Sequence, residues 1–148
     1  MTQPVLRRAD LADLEAAYAL DVASFEFPWS KDDFKAALLA RTPFIVMELK
    51  GRIVGQCVYR TVLDEGEILT FCIHPDCQGK GYGAELLEYV LALAALAGVR
   101  EVFLEVRVGN ARARRLYAKA GFEEIAIRKD YYMTRTGRED AVVMKRIL

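Results

Sequence analysis

Histidine is nearly absent from this chain: His74 is the only one in 148 residues. The three cysteines, Cys57, Cys72 and Cys77, form no CxxC pair. A zinc site needs several such ligands at short spacing, so no metal is expected. Net charge is missing too, because 21 Lys and Arg balance 21 Asp and Glu. That balance offers nothing to nucleic acid or to an anionic membrane, and neither is an expected partner. Long apolar runs are also lacking. The longest uncharged one, Tyr89 to Val99, falls short of the roughly 18 residues of a membrane span. Arg7 and Arg8 are followed by no apolar h-region, so no signal peptide is expected. Cys57 and Cys72 lie in strand-like runs and read as buried small hydrophobes, with a reducing cytoplasm as the default setting.

What is present is an ordinary globular composition, 53% apolar and 28% charged. Residues 1–148 suffice for one domain with a real core. Val5 to Arg8 reads as a short strand. Asp10 can cap a helix whose apolar face is Leu14, Tyr18, Val22 and Phe25. Ser30 starts a second helix, with Asp33 as its capping-box partner and Phe34, Ala37 and Leu38 as its apolar face. Strands are expected over 44–49 and 52–62, joined at Lys50-Gly51, and again over 67–74. A Leu- and Ala-rich helix over 84–97 closes at Gly98. Strand 101–107, helix 111–120 and strands 122–128 and 140–147 complete the chain, with a loop between the last two. The expected fold is α/β: a mixed, mostly antiparallel sheet of about six or seven strands with helices on both faces.

The strand at 67–74 leads into Gln78-Gly79-Lys80-Gly81-Tyr82-Gly83 and then a helix. A glycine turn opening a helix aims backbone N–H groups and the positive dipole end at one spot, which suits a pyrophosphate. A Walker A loop would need Ser or Thr after Gly79-Lys80, and Gly81 stands there instead. Gly79 to Ala84 does satisfy a dinucleotide fingerprint. However, Pro75-Asp76-Cys77-Gln78 separates it from its strand, and too little sheet follows.

The remaining reading is the pattern Gln/Arg-x-x-Gly-x-Gly/Ala. With it stand Phe27-Pro28-Trp29-Ser30, Leu104-Glu105-Val106-Arg107, Asn110, Leu116-Tyr117, Gly121-Phe122, Tyr131-Tyr132 and Gly137-Arg138-Glu139-Asp140-Ala141. This combination, running from residue 27 to the C-terminus, resembles the GNAT N-acetyltransferase superfamily. Within it, the chain is most similar to the bacterial ribosomal-protein-alanine N-acetyltransferase (RimI) family. His74 departs from that pattern, standing where the family often has an acid. The resemblance implies an enzyme that moves the acetyl group of acetyl-CoA to a protein N-terminal α-amine. It implies as partner a small-subunit ribosomal protein beginning with alanine. An acetyltransferase for lysine side chains or small amines is the alternative, followed by a silent acyl-CoA-binding module.

Acetyl transfer to an amine needs the donor held, the amine deprotonated, an oxyanion stabilised and a thiolate protonated. The amides of Gly79, Lys80, Gly81, Tyr82, Gly83 and Ala84, with Gln78, are the candidates for holding the pyrophosphate. Phe71, Cys72 and Ile73 would lie along the pantetheine arm as a neighbouring strand does, and the Ile73 amide can serve the oxyanion. The resemblance implies Glu105 as base. Strand alternation alone leaves open a solvated glutamate paired with Arg107. The resemblance likewise implies Tyr117 as acid, against core packing of an aromatic on an Ala-rich helix. Asn110 can cap that helix, bind cofactor, or both. Arg112, Arg114 and Arg115 read as a solvated face, with contact to the cofactor's adenosine phosphate as the alternative. Trp29 either lines the acceptor groove or staples the second helix, and Tyr131 and Tyr132 form the other wall. Glu26, Asp32 and Asp33 can attract a basic peptide or serve the helix start.

Overall fold

A computed structural model of the chain describes residues 2–148. The elements run β1 (Val5–Arg8), α1 (Leu14–Ser24), α2 (Lys31–Leu39), β2 (Phe44–Leu49), β3 (Arg52–Val62), β4 (Glu65–Ile73), α3 (Tyr82–Leu96), β5 (Glu101–Arg107), α4 (Ala111–Lys119), β6 (Glu123–Thr134) and β7 (Gly137–Ile147). Single 3-10 turns precede α1 and follow β4. The seven strands form one mixed sheet in the order β1-β2-β3-β4-β5-β7-β6. The pairs β1–β2, β2–β3, β5–β7 and β6–β7 are antiparallel, and β4–β5 is parallel. This is the expected α/β class. No helix of the described residues is long and apolar enough to cross a membrane.

Contacts divide the chain into two compact units. The first holds the residues up to Arg60 with Leu69–Val90, and the second holds Thr61–Ile68 with Leu91–Leu148. In the first, Ala17, Phe34, Ala37, Phe44, Val46 and Val58 form a buried cluster. The Phe34 ring lies 5.2 Å from Trp29 and 5.8 Å from Phe44. The 3-10 turn that leads into α1 and the start of α2 are capped by their own sequence. Asp10 with Asp13, and Ser30 with Asp33, exchange side-chain and backbone bonds in full capping boxes. Arg7 clamps Asp13 with two bonds of 2.8 and 2.9 Å and so fastens β1 to the start of α1.

The expected apolar face of the first helix needs correction. Val22 is 49% exposed, and the buried stripe is Ala17, Leu20 and Asp21. Leu14 and Tyr18 do pack against the core cluster, so the misreading lies at Val22: an acid on the buried stripe breaks a hydrophobicity pattern, and the pattern took Val22 in its place. In the second unit, β5 alternates as expected, with Val102, Leu104 and Val106 buried and the residues between them half-buried. Leu104 pairs with Met144 and Val106 with Val142, and all four are core residues.

A second correction concerns residues 129–139, expected as a loop. Strands β6 and β7 instead continue through them to a tight turn, with Tyr132 opposite Glu139 and Thr134 opposite Gly137. The pairing slips between Arg128 and Tyr132, where Asp130 takes a φ of 53°. The polar run Lys129-Asp130 that looked like loop is a bulge in a long hairpin.

Phe34 has no exposed surface. Phe34→Ala is expected to cost about 3–5 kcal/mol through lost burial and a residual cavity. Urea unfolding followed by far-UV circular dichroism measures this, as a lower midpoint at unchanged slope.

Candidate active site

The first unit carries the glycine turn. Strand β4 ends at Ile73, and His74 caps the 3-10 turn Pro75–Cys77. The His74 Nδ1 accepts the Asp76 N–H at 3.1 Å, so that nitrogen is engaged and the imidazole acts here as a cap. The Gln78 side chain donates to the Ile73 carbonyl at 3.1 Å and closes the loop back on its strand. Gly79 and Gly81 then take φ values of 79° and 84°, and α3 begins at Tyr82. A Cβ at either glycine would meet no protein atom within 4 Å. It is the left-handed backbone, not crowding from the protein, that requires glycine there. The turn thus opens a fifteen-residue helix with open space beside its first peptide groups, a shape that fits a pyrophosphate.

Trp29 also belongs to this unit. Its ring packs on Phe34, so it does staple α2 to the core, yet it stays only half-buried. It borders a hollow of about 440 Å³ whose other walls are Asp33, Ala36, Ala37, Ala40, Thr42 and Leu69. Phe71 is half-buried on β4, and Cys72 and Ile73 are buried. Burial pushes the Cys72 thiol up to about 12, which makes it an inert packing group. Asp32 and Asp33 lie in the first turn of α2, where Asp33 is spent on the capping box.

The second unit carries Glu105, Tyr117, Tyr131 and Tyr132. Glu105 sits on the half-buried face of β5. Its Oε1 faces Arg128 Nε at 3.5 Å, and its Oε2 is buried without a hydrogen-bond partner. The open question of an exposed pair with Arg107 is thereby resolved against it. Arg107 turns to Glu139 at 3.5 Å and to the Met133 carbonyl at 3.1 Å, with its guanidinium 4.4 Å from the centre of the Tyr132 ring. Tyr131 and Tyr132 meet edge-on at 5.0 Å. The Glu105 carboxylate beside the Tyr131 hydroxyl, ahead of burial, raises the Tyr131 pKa. Burial, then the nearby Glu105 charge, push Tyr132 up to about 12.

Tyr117 is 6% exposed and lies edge-on to Phe122 at 5.8 Å, so its ring is a packing element of α4 and the turn after it. Asn110 caps α4 by accepting the Ala113 N–H at 3.2 Å. On the arginine face, Arg112 and Arg115 are exposed, and Arg114 makes surface bonds to Glu124 at 2.7 Å and the Val108 carbonyl at 2.7 Å. Sequence reasoning missed Arg128 and Asp21. Nothing local marks Arg128 as a partner of Glu105, because the bulged hairpin brings them together. Asp21 did leave a signal, at i+4 from Ala17 and i+1 from Leu20 on a helix.

Tyr132 titrates later in the fold than its ordinary value of about 10. The stability this provides is full below pH 10 and is lost as pH climbs towards about 12. Wild type is therefore expected to lose stability relative to Tyr132→Phe over that range, as read by urea unfolding at a series of pH values. Equal pH dependence of the two proteins would contradict the buried setting.

Residues 14–122 match the model of the acetyltransferase (GNAT) family. The chain is 36% identical over 135 residues to the [ribosomal protein bS18]-alanine N-acetyltransferase of Escherichia coli strain K12, covering 91% of each. The crystal structure of the ribosomal-protein-S18-alanine N-acetyltransferase from Escherichia coli superposes with a TM-score of 0.92 at 34% identity, over 98% of this chain and 94% of that one. A Salmonella typhimurium structure determined with its cofactor acetyl-CoA shares the fold, with a TM-score of 0.83 at 23% identity over 99% and 94% of the two chains. The glycine turn at the head of α3, the cap-bound loop before it and the carboxylate on β5 therefore stand in a chain that belongs to the GNAT acetyltransferase family.

Proposed function

We propose that residues 1–148 act as a single N-acetyltransferase domain that acetylates the α-amine of a protein N-terminus, with acetyl-CoA as donor. The acceptor is a small-subunit ribosomal protein beginning with alanine. The observation that carries the reading is Glu105. Its Oε2 is buried and unpartnered, an acceptor held ready for a cation, and two tyrosines flank it. The similarity to the Escherichia coli enzyme supports the choice of acceptor.

Gly79 to Ala84 hold the pyrophosphate through backbone N–H groups, with Gln78 bracing the turn against the Ile73 carbonyl. Phe71, Cys72 and Ile73 lie along the pantetheine arm, and Asn110 adds to the cofactor's seat while capping α4. When bound, acetyl-CoA supplies an acetyl group activated as a thioester. Glu105 takes the proton of the acceptor ammonium. An α-amine, with a pKa of about 8, asks less of such a base than a lysine near 10.4. The Ile73 N–H donates to the oxyanion. Tyr117 gives its hydroxyl proton to the departing thiolate. Trp29, Tyr131 and Tyr132 contact the acceptor.

Glu105→Gln and Tyr117→Phe are each expected to lower turnover by about 10²–10⁴-fold, the usual worth of a positioned acid or base. Acetyl-CoA affinity should stay near wild type in both. Thiol release with an Ala-starting peptide, its N-blocked twin and a polyamine tests the acceptor. A blocked peptide as good as the free one would sink the α-amine assignment, and wild-type rates in both variants would sink the roles.

A further inference from the structure

Helix α1 buries an acid. Ala17, Leu20 and Asp21 share one stripe, and Asp21 keeps 1% of its surface exposed. A carboxylate in such a place is costly unless donors surround it. Four do. Its Oδ2 accepts the Trp29 backbone N–H at 2.9 Å. Its Oδ1 takes Gln56 Nε2 at 3.2 Å, the Thr70 hydroxyl at 3.3 Å and the Cys72 thiol at 3.9 Å. The Gln56 amide is oriented independently, because the same Nε2 also donates to the Ala17 carbonyl at 3.0 Å. Donors therefore converge on Asp21 from the loop after α1, from β3 and from β4. An acceptor-only group satisfies them all, whereas an amide brings two N–H groups of its own.

The three segments so joined matter to the reaction. Thr70 and Cys72 flank Phe71 on the strand assigned to the pantetheine arm. Trp29 sits on the loop between α1 and α2, with its backbone on Asp21 and its ring on Phe34. We propose that Asp21 is a positioning residue for acceptor recognition: its carboxylate fixes the Trp29 backbone against β4 and so sets the acceptor wall. The proposal rests on the reading of Trp29 as part of that wall. Asp21 acts through Trp29 and needs no contact with the reacting atoms.

Trp29 is the only tryptophan in the chain, so its fluorescence reports on this loop alone. In Asp21→Asn, the KM for an Ala-starting peptide is expected to rise roughly tenfold, the worth of a hydrogen bond to a charged group. The Kd for acetyl-CoA should rise less than that KM, since Thr70 and Cys72 lose a partner on the pantetheine strand while the glycine turn's own hydrogen bonds are untouched. Trp29 emission should shift to the red. Asp21→Glu keeps the acceptor-only carboxylate one methylene further out, and its KM and emission should fall between those of wild type and Asp21→Asn. If Asp21→Asn does not fold, Asp21→Glu decides by the same readouts.

Trp29→Ala tests the underlying reading and is expected to raise the same KM. A wild-type KM in Trp29→Ala would remove the wall, and the proposal with it. A raised KM there, with wild-type KM and emission in the Asp21 variants, overturns the positioning role alone. Equal losses of acetyl-CoA and peptide affinity in Asp21→Asn overturn it too, because the carboxylate would then be holding the unit as a whole.

Discussion

The second unit of this protein depends on the two-residue period of β5. Val102, Leu104 and Val106 must face the core, and they do so against Met144 and Val142 on β7. Phe103, Glu105 and Arg107 are thereby committed to the other face. A slip of one residue would bury Glu105 among valines and turn Leu104 outward, and no rearrangement of side chains could repair it. The position of the carboxylate is thus a by-product of packing. Its neighbours are not, since Arg128, Tyr131 and Tyr132 arrive from β6, which reaches the site only because β7 pairs with both strands.

The first unit solves a different problem. Its helices are short and carry little intrinsic stability, so caps, a clamp and a buried ring hold them. Asp10, Asp13, Ser30 and Asp33 close the helix starts, Arg7 fastens the first of them, and Phe34 anchors α2 between Trp29 and Phe44. Into this apolar arrangement α1 inserts Asp21. A hydrophobic residue there would pack at least as well, by the general experience with buried charges. What a leucine could not do is hold a loop N–H and three strand side chains at one point.

Much of this was legible in the chain itself. Strands β2, β3 and β5 begin and end where alternation and turn residues place them. The Ser30–Asp33 capping box and the Asp10 cap read directly from their spacing, and Gly98 and Gly121 stop their helices with positive φ. These features depend on residues a few positions apart. The misreadings share a cause. Val22 looked apolar and is exposed, Asp21 looked polar and is buried, and residues 129–139 looked like a loop and are strand. In each case distant partners overrode local preference: Thr70 lies 49 positions from Asp21, and β7 carries the polar stretch of β6 as a ladder.

The candidate site divides the same way. The sequence by itself determined the kinds of group available: a glycine turn at a helix start, a lone acid on an alternating strand, and a tyrosine on a short helix. Those follow from covalent order, because backbone conformation and side-chain period are set within a turn or two of chain. Only the tertiary structure decided which group answers to which. It turned Arg107 towards Glu139 and away from Glu105, and left one oxygen of Glu105 buried without a partner. It also engaged His74 as a cap and tied Trp29 to a carboxylate inside α1. Hydrogen bonds act over about 3 Å and are indifferent to separation along the chain, so their partners are chosen when the sheet closes.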